Sequence, residues 1–201
     1  MEATAWSDYL CPWCYAGIDR TALLRELGVE VTELPYELHP RIPVGGVSLR
    51  ERWGARYDEA TAMYGRIEAE CEAVGLPFVR PERVPNTRRA LETAEYVRRT
   101  APDAFATLHR SLFDAHFVQQ LDIGDPDVID DLVGAAGADA ASVRAAVDAG
   151  DASAALVESM DTARDLGVTG TPSWLLDQQL VLPGVMPREL YERAVTRMSN
   201  R

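Results

Sequence analysis

The chain has 201 residues, a formal net charge of −12 at pH 7 and 47% hydrophobic residues. This length and composition predict one well-packed globular chain with room for a sizeable insertion, and they exclude extensive disorder. The acidic balance argues against nucleic acid as the main partner, because phosphate binding requires clustered cations. No apolar stretch approaches the ~20 residues that a membrane span needs.

The chain starts at Met1 and runs directly into strand-like sequence. It shows no basic segment, long apolar segment or small-residue cleavage site of the kind that marks a secretory signal. We therefore expect a cytoplasmic protein. Because thiols are kept reduced in the cytoplasm, a closely spaced cysteine pair is better explained there by catalysis than by a structural disulfide.

The first predicted elements are a buried strand and a helix, and a Cys-Pro-Trp-Cys motif lies between them. Residues 2–8 form the strand, and the motif occupies Cys11–Cys14. Apolar residues then recur with a helical period from Pro12 to Leu27, and Gly28 supplies the stop signal. The motif therefore lies at the start of a helix, where both sulfurs fall on one edge of the first turn.

The motif at this position predicts thiol chemistry. Unpaired N–H groups and the dipole at a helix N-terminus favour an anion, so we expect a lowered pKa for the Cys11 thiol. The thiolate attacks disulfides, and Cys14, with the higher pKa, lies one turn away to displace what Cys11 captures. Pro12 and Trp13, between the sulfurs, are expected to tune the redox potential.

Two other interpretations of the motif remain open. It could be half of a zinc site, although structural zinc requires four ligands and no second closely spaced pair follows. It could also be an inert buried pair. The third cysteine, Cys71, lies in a predicted helix and is expected to be a small buried hydrophobic residue.

The second predicted strand covers Val29–Leu38. Its alternation changes phase, which predicts a bulge near Glu33, and Pro35 places the strand at the edge of a sheet. With the first strand and helix it forms a βαβ unit, for which a right-handed crossover is expected. A Pro- and Gly-rich loop follows at residues 39–46.

The middle of the chain is predicted to be almost entirely helical, and the end returns to strands. The candidate helices cover about 55–74, 87–99, 102–118, 126–136, 139–148 and 151–166. Strands at 173–176 and 180–182 form a hairpin, and Pro187 opens a last helix. The predicted order is β-α-β, a block of helices, and β-β-α.

Three segments of this pattern resemble a known family. They are Asp8–Tyr15, which contains the motif, Tyr36–Pro40 after the second strand, and Gly167–Pro172 before the third. In these segments the chain resembles the DsbA family, and most of all its cytosolic FrnE-like branch. The resemblance implies an α/β thioredoxin fold with a large all-helical insertion.

The resemblance also implies a domain division and an activity. Residues 1–40 and 167–201 would form the thioredoxin-like domain, and residues 47–166 the helical insertion. The expected activity is that of a dithiol-disulfide oxidoreductase or isomerase, with Cys11 and Cys14 as catalytic residues. The substrate would be a disulfide-containing protein or small molecule, and the reductant glutathione or a thioredoxin-type protein. No metal or resident cofactor is expected, and glutathione would act as a co-substrate.

Several residues around the motif receive expected roles. Pro172 would be the cis-proline that faces the cysteines, and the backbone of Thr171 would pair with an extended substrate. Tyr15 would form an aromatic wall beside the sulfurs and contact substrate. Asp8 would act either in acid-base chemistry or as a strand-end cap. His39 would either hydrogen-bond within its loop or take part in catalysis.

The two remaining histidines and the segment before the last helix lead to two further predictions. His109 and His116 lie about two helical turns apart, ~10 Å, which is too far for both to bind one metal ion. Family members often carry Ser-Gly-Ala-Gln before the last helix, whereas residues 183–186 here are Pro-Gly-Val-Met. This difference replaces a polar contact by apolar surface, so the family's substrate preference does not carry over.

Two rival functions remain open at this stage. The first is a glutathione-dependent isomerase or transferase on the same scaffold, whose members typically carry Ser in place of Cys11. The second is a non-catalytic thioredoxin-fold binding module, which would hold its cysteines unreactive.

Overall fold

The two ends of the chain meet in one four-stranded sheet, and helices occupy most of the sequence between them. The computed structural model describes residues 1–200. Its elements in chain order are β1 Glu2–Ser7, α1 Pro12–Ala16, α2 Ile18–Glu26, β2 Glu30–Pro35, β3 Val47–Ser48, α3 Leu49–Trp53, a 3-10 turn Gly54–Arg56, α4 Tyr57–Ala73, β4 Arg83–Val84, α5 Arg88–Thr100, α6 Pro102–Phe117, α7 Pro126–Ala135, α8 Ala140–Ala149, α9 Ser153–Asp165, β5 Ser173–Leu176, β6 Leu180–Pro183 and α10 Arg188–Ser199.

The sheet has the order β2-β1-β5-β6. Strand β1 pairs in parallel with β2 and antiparallel with β5, and β5 pairs antiparallel with β6. Three residues connect β5 to β6, with positive φ angles at Asp177 and Gln178, and the N–H of Gln179 donates to the Leu176 carbonyl at 2.9 Å. This β-α-β and β-β-α arrangement, with helices inserted between its halves, is the predicted thioredoxin fold.

The predicted bulge near Glu33 is wrong. Strands β1 and β2 pair without interruption from Glu2 opposite Glu30 to Ser7 opposite Pro35. The prediction also made this strand too long. The observed strand β2 ends at Pro35, and the N–H of Leu38 donates to the Asp8 carboxylate instead of to a neighbouring strand. The edge position predicted from Pro35 is confirmed, since β2 lies at one side of the sheet.

The single helix predicted from Pro12 to Leu27 is divided at Gly17 into α1 and α2. A Cβ atom at Gly17 would lie 3.0 Å from the ring of Trp174 and 3.1 Å from the carbonyl oxygen of Trp13. Trp174 belongs to β5 and also donates a hydrogen bond to the Thr21 hydroxyl at 3.0 Å. A large side chain from the far end of the sequence therefore packs at the junction.

The block of helices follows the prediction closely, because α4 to α9 begin and end within two residues of the predicted bounds. The prediction missed β3, β4 and α3. Two-residue strands are too short to show an alternating pattern, but α3 carries a local signal. Ser48 and Glu51 form a capping box, in which each side chain bonds the other residue's backbone N–H, and this Ser-x-x-Glu pattern is visible in the sequence.

The largest hydrophobic core joins the cysteine motif to the helical block. It contains Tyr9, Cys11 and Cys14 together with Leu108 and Phe113 of α6. A second core on Trp174, Leu24 and Tyr191 packs α2 and α10 against the sheet. The motif is thus held between the sheet and the inserted helices.

Candidate active site

Cys11 and Cys14 lie at the first turn of α1, as predicted. Cys11 is the residue before the helix, with extended backbone angles of φ −84° and ψ 110°, and Pro12 takes the first helical position. The backbone N–H of Cys14 donates to the Cys11 carbonyl at 3.0 Å. Both thiols are free, and each residue is 4% exposed. Cys71 is also free and is completely buried in α4, as expected for a small hydrophobic residue.

The two thiols shift each other's pKa in opposite directions. A hydrogen bond from the Cys14 thiol lowers the pKa of Cys11 and outweighs burial, which raises it. Burial raises the pKa of Cys14 well above its ordinary value, and the hydrogen bond to Cys11 adds to this increase. These directions agree with the sequence-based expectation, but the largest cause for Cys11 is its partner thiol. The structure therefore distinguishes a thiol that ionises readily from one that keeps its proton.

The Thr171–Pro172 peptide bond is cis, as expected. The Thr171 carbonyl oxygen accepts a hydrogen bond from the Cys11 thiol at 3.6 Å. A separate interaction with the Thr171 side chain lowers the pKa of Cys11. The Thr171 hydroxyl is buried and has no hydrogen-bond partner within residues 1–200. The loop before β5 is thus in direct contact with the first cysteine.

Asp8 is completely buried at the end of β1 and accepts three hydrogen bonds. The donors are the Leu10 N–H at 3.2 Å, the Leu38 N–H at 2.7 Å and the Thr87 hydroxyl at 2.7 Å. Burial nevertheless raises the pKa of Asp8 to about 6. Of the two roles expected from the sequence, these contacts favour the strand-end cap.

The roles expected of Tyr15 and His39 have different outcomes. Tyr15 is completely buried, and its hydroxyl donates to the Pro77 carbonyl at 2.6 Å, in the helical block. The prediction that it contacts substrate is therefore replaced by a packing role, because its ring has no surface facing the cleft. His39 does line the cleft, with the Arg52 guanidinium 3.3 Å from its Nδ1, and burial and this charge lower its pKa.

A cleft of about 280 Å³ opens beside Cys11. Its walls come from the motif, from the loop after β2, from Thr171 and from the inserted helices. The helices contribute residues that sequence reasoning did not connect with the site: Arg52, Trp53, Arg56, Met63, Tyr64 and His116. Two arginines and no carboxylate line the cleft, although the chain has 32 acidic and 20 basic residues. No local sequence signal indicates these residues, since each is an ordinary helical residue until packing brings it to the cleft.

Within residues 1–200, no group of three or more His, Cys, Asp or Glu side chains is arranged to hold a metal ion. No helix in the same part of the chain is both long enough and apolar enough to cross a membrane.

The fold and the cysteine pair define a thioredoxin-like protein with two free thiols at the start of a helix. The chain belongs to the family of DSBA-like thioredoxin domains, whose model matches residues 3–196. Membership of this family supports thiol-disulfide oxidoreductase activity. The match does not test the assignment to the FrnE-like branch, which remains a prediction.

Solved structures with the same fold extend this comparison. A probable DsbA oxidoreductase from Streptomyces coelicolor is 26% identical, with a TM-score of 0.89 over 100% of this chain and 91% of its own. A 2-hydroxychromene-2-carboxylate isomerase is 19% identical, with a TM-score of 0.76 over 99% of this chain and 96% of its own. The cytosolic disulfide reductase DsbM from Pseudomonas aeruginosa, solved with GSH, is 16% identical, with a TM-score of 0.71 over 100% of both chains. The last two similarities show the fold alone.

Proposed function

We propose that this protein is a dithiol-disulfide oxidoreductase or isomerase in which Cys11 is the nucleophile and Cys14 the resolving thiol. The observation that carries the proposal is the hydrogen bond from the Cys14 thiol, which lowers the pKa of Cys11 beside an open cleft. A thiolate at that position has a route to substrate and a second thiol within one helical turn. An inert buried pair would have no such route to substrate.

The reaction would proceed in two exchanges. The Cys11 thiolate attacks one sulfur of the substrate, so that a mixed disulfide forms and the other substrate sulfur leaves as a thiolate. Cys14 then loses its proton and attacks the Cys11 sulfur, which forms the Cys11–Cys14 disulfide and releases the reduced substrate. Its proximity makes this second step effectively intramolecular. The Thr171 backbone would align the substrate beside Cys11, and Pro12 and Trp13 would tune the potential.

The proposal includes a disulfide-containing protein or small molecule as substrate, and glutathione or a thioredoxin-type protein as reductant. Arg52 and Arg56 place positive charge on the cleft, which suits the carboxylates of glutathione. DsbM, which shares the fold, was solved with GSH. We keep the cytoplasmic location as part of the proposal, and in a reducing compartment the exchange would favour reduction or isomerisation.

Trapping of the mixed disulfide tests the proposal. The Cys14→Ser chain, incubated with oxidised glutathione, should accumulate a stable adduct on Cys11 that intact-mass measurement detects, whereas the Cys11→Ser chain should not form it. Cys71→Ser is the matched control, because it removes a buried thiol outside the cleft. Equilibration of the wild-type chain with glutathione buffers then measures the potential of the couple. Values from about −270 mV, as in thioredoxin, to about −120 mV, as in DsbA, separate a reductant from an oxidant.

The same variants address the rival functions. Isomerase or transferase turnover retained by Cys11→Ser would contradict disulfide exchange and support the glutathione-dependent rival. An alkylation profile that places the pKa of Cys11 above its ordinary value, together with no adduct, would indicate a binding module with unreactive cysteines.

A further inference from the structure

Tyr64 of α4 presents a buried hydroxyl to the cleft beside Cys11. The residue is 3% exposed, its ring stacks on Phe78 with centroids 6.3 Å apart, and it lines the cleft. Within residues 1–200 its hydroxyl has no hydrogen-bond partner. Unlike the Thr171 hydroxyl, the Tyr64 hydroxyl is not sealed from solvent. The Tyr64 oxygen therefore contacts the solvent of the cleft and can bond a ligand there.

The electrostatics indicate that this hydroxyl stays protonated near the reactive sulfur. Burial raises the pKa of Tyr64 well above its ordinary value, and the charge of Cys11 is the next cause. The Cys11 sulfur already has Cys14 and Thr171 as its hydrogen-bonding partners, and Tyr64 is not among them. The O–H of Tyr64 is thus a donor within electrostatic reach of Cys11 that has no acceptor on the protein.

Thiol-disulfide exchange creates a new hydrogen-bond acceptor while the Cys11 thiolate attacks. When a thiolate attacks a disulfide, negative charge moves to the sulfur that leaves, which lies on the far side of the attacked sulfur. For Cys11 this places the leaving sulfur out in the cleft. A fixed donor that meets charge as it develops lowers the barrier without further reorganisation.

We propose that the Tyr64 hydroxyl donates a hydrogen bond to the substrate sulfur that leaves when Cys11 attacks. In this step the Cys11 sulfur bonds to one substrate sulfur and the substrate S–S bond breaks. The electron pair of that bond stays on the departing sulfur, which leaves as a thiolate and takes a proton from water. The inference rests on the proposed function, and it makes Tyr64 most important for alkyl disulfides, whose basic thiolates leave slowly.

His116 of α6 is the competing donor. Its ring nitrogens also have no partner within residues 1–200, it is 4% exposed, and it lines both this cleft and a neighbouring cavity of about 430 Å³. Burial alone lowers the pKa of His116 to about 4, so the ring is neutral at pH 7. Tyr64 lines the cleft beside Cys11 and not the neighbouring cavity, whereas His116 is shared between the two. The geometry therefore assigns the role to Tyr64, and a His116 variant serves as a comparison.

The test varies the leaving group. All variants are made in the Cys14→Ser chain, so that only the first attack occurs, and rates are measured with two uncharged disulfides. Bis(2-hydroxyethyl) disulfide releases a basic alkanethiolate, and 2,2′-dithiodipyridine releases a weakly basic pyridinethiolate. Tyr64→Phe should slow the attack on the alkyl disulfide about 10-fold and the attack on the pyridyl disulfide less than about 2-fold.

Two controls isolate the effect. Tyr57→Phe removes a hydroxyl that also lacks a hydrogen-bond partner within residues 1–200, from the same helix but outside the cleft, and should change neither rate. The pH dependence of the pyridyl reaction should give the same apparent pKa for Cys11 in the Cys14→Ser chain with and without Tyr64→Phe. An unchanged pyridyl rate also shows that the variant is folded with an intact nucleophile.

Each remaining outcome would overturn the inference. Equal slowing with both disulfides would mean that Tyr64 supports the nucleophile or the fold. No slowing with Tyr64→Phe, or leaving-group-dependent slowing found only with His116→Leu, would assign the role elsewhere. If the wild-type and Cys14→Ser chains react with neither disulfide, the proposed function fails and this inference fails with it.

Discussion

Asp8 is a buried carboxylate that organises the candidate site although it does not line the cleft. Its two oxygens hold the loop that leads to Cys11, the segment after β2 and Thr87 at the start of α5. The three hydrogen bonds lower its pKa, but burial outweighs them and Glu37 adds a small increase. Asp8 thus ties together three segments that are far apart in sequence, at the expense of burying an acid.

The raised pKa of Asp8 predicts how the residue affects stability across pH. An acid that binds its proton more tightly in the folded chain stabilises the fold fully below its ordinary pKa of 3.8, and this contribution is lost as pH rises to about 6. The difference in unfolding free energy between wild type and Asp8→Asn should therefore fall by about 2–3 kcal/mol from pH 4 to pH 7. Urea unfolding at several pH values measures it.

Comparison with Asp8→Asn isolates this residue, because every other titrating group is common to both chains. The amide replaces one acceptor by a donor, which adds an offset of about 1–3 kcal/mol that does not vary with pH. A difference that stays constant or grows between pH 4 and pH 7 would show that Asp8 is ionised throughout, with its hydrogen bonds outweighing burial.

The break between α1 and α2 positions the cysteine motif. The five residues of α1 end at Gly17, where the ring of Trp174 occupies the space that a side chain would need. The contact fixes α1 against β5, and the loop before β5 carries Thr171 to the Cys11 sulfur. The junction therefore sets the distance between the motif and the loop that faces it.

Two glycine substitutions should have opposite effects on stability. Gly17→Ala would place a methyl group 3.0 Å from Trp174, and such overpacking costs about 1–3 kcal/mol, more than the helix propensity gained. Gly65→Ala, in the middle of α4, meets nothing within 4 Å and should stabilise the chain by about 0.5–1 kcal/mol. Urea unfolding of both variants against wild type measures these changes. Stabilisation by Gly17→Ala would show that α1 and α2 can shift without loss.

The inserted helices and the segment that carries the cysteine motif share one hydrophobic core. Phe113 of α6 packs against Tyr9 beside the motif, with ring centroids 4.9 Å apart. Polar contacts cross the same boundary: the Tyr9 hydroxyl lies 2.8 Å from His109, whose ring is 3.3 Å from Glu33 of β2. Burial opposes ionisation of Glu33, but the charges of His109 and Arg25 lower its pKa to about 2. The inserted helices therefore pack directly against the residues that surround the cysteine motif.

This shared core predicts that the two predicted domains, residues 1–40 with 167–201 and residues 47–166, unfold together. Phe113→Ala should destabilise the chain by about 3–5 kcal/mol. Three of the four tryptophans, Trp6, Trp13 and Trp174, lie in the predicted thioredoxin-like domain. Tryptophan fluorescence should therefore shift in urea together with far-ultraviolet circular dichroism, which reports mainly the inserted helices. Phe105→Ala, at a partly exposed position of the same helix, should cost less. Separate transitions by the two probes would show instead that the insertion is an independent unit.

Local signals account for the agreement between prediction and structure in most elements. The cysteine motif, the helices from α4 to α9 and the strands near both ends are marked by periodicity, proline and glycine, all of which act over a few residues. The same local signals gave wrong predictions where residues far apart in the sequence determine the local structure. The phase change near Glu33 indicated a bulge, but pairing with β1 continues to Pro35, and the helix from Pro12 is interrupted because of a tryptophan 157 positions after Gly17.

The order of the residues was therefore enough to place the two cysteines at the start of a helix, because this signal depends on residues that are close together along the chain. It was not enough to predict what surrounds the Cys11 sulfur. Arg52, Tyr64 and His116 lie on three different helices and reach the cleft only through packing, and the partner thiol proved to be the main cause of the lowered pKa of Cys11. Packing and burial depend on the whole chain at once, so the walls of the cleft and the charge state of its groups emerge only in the folded protein.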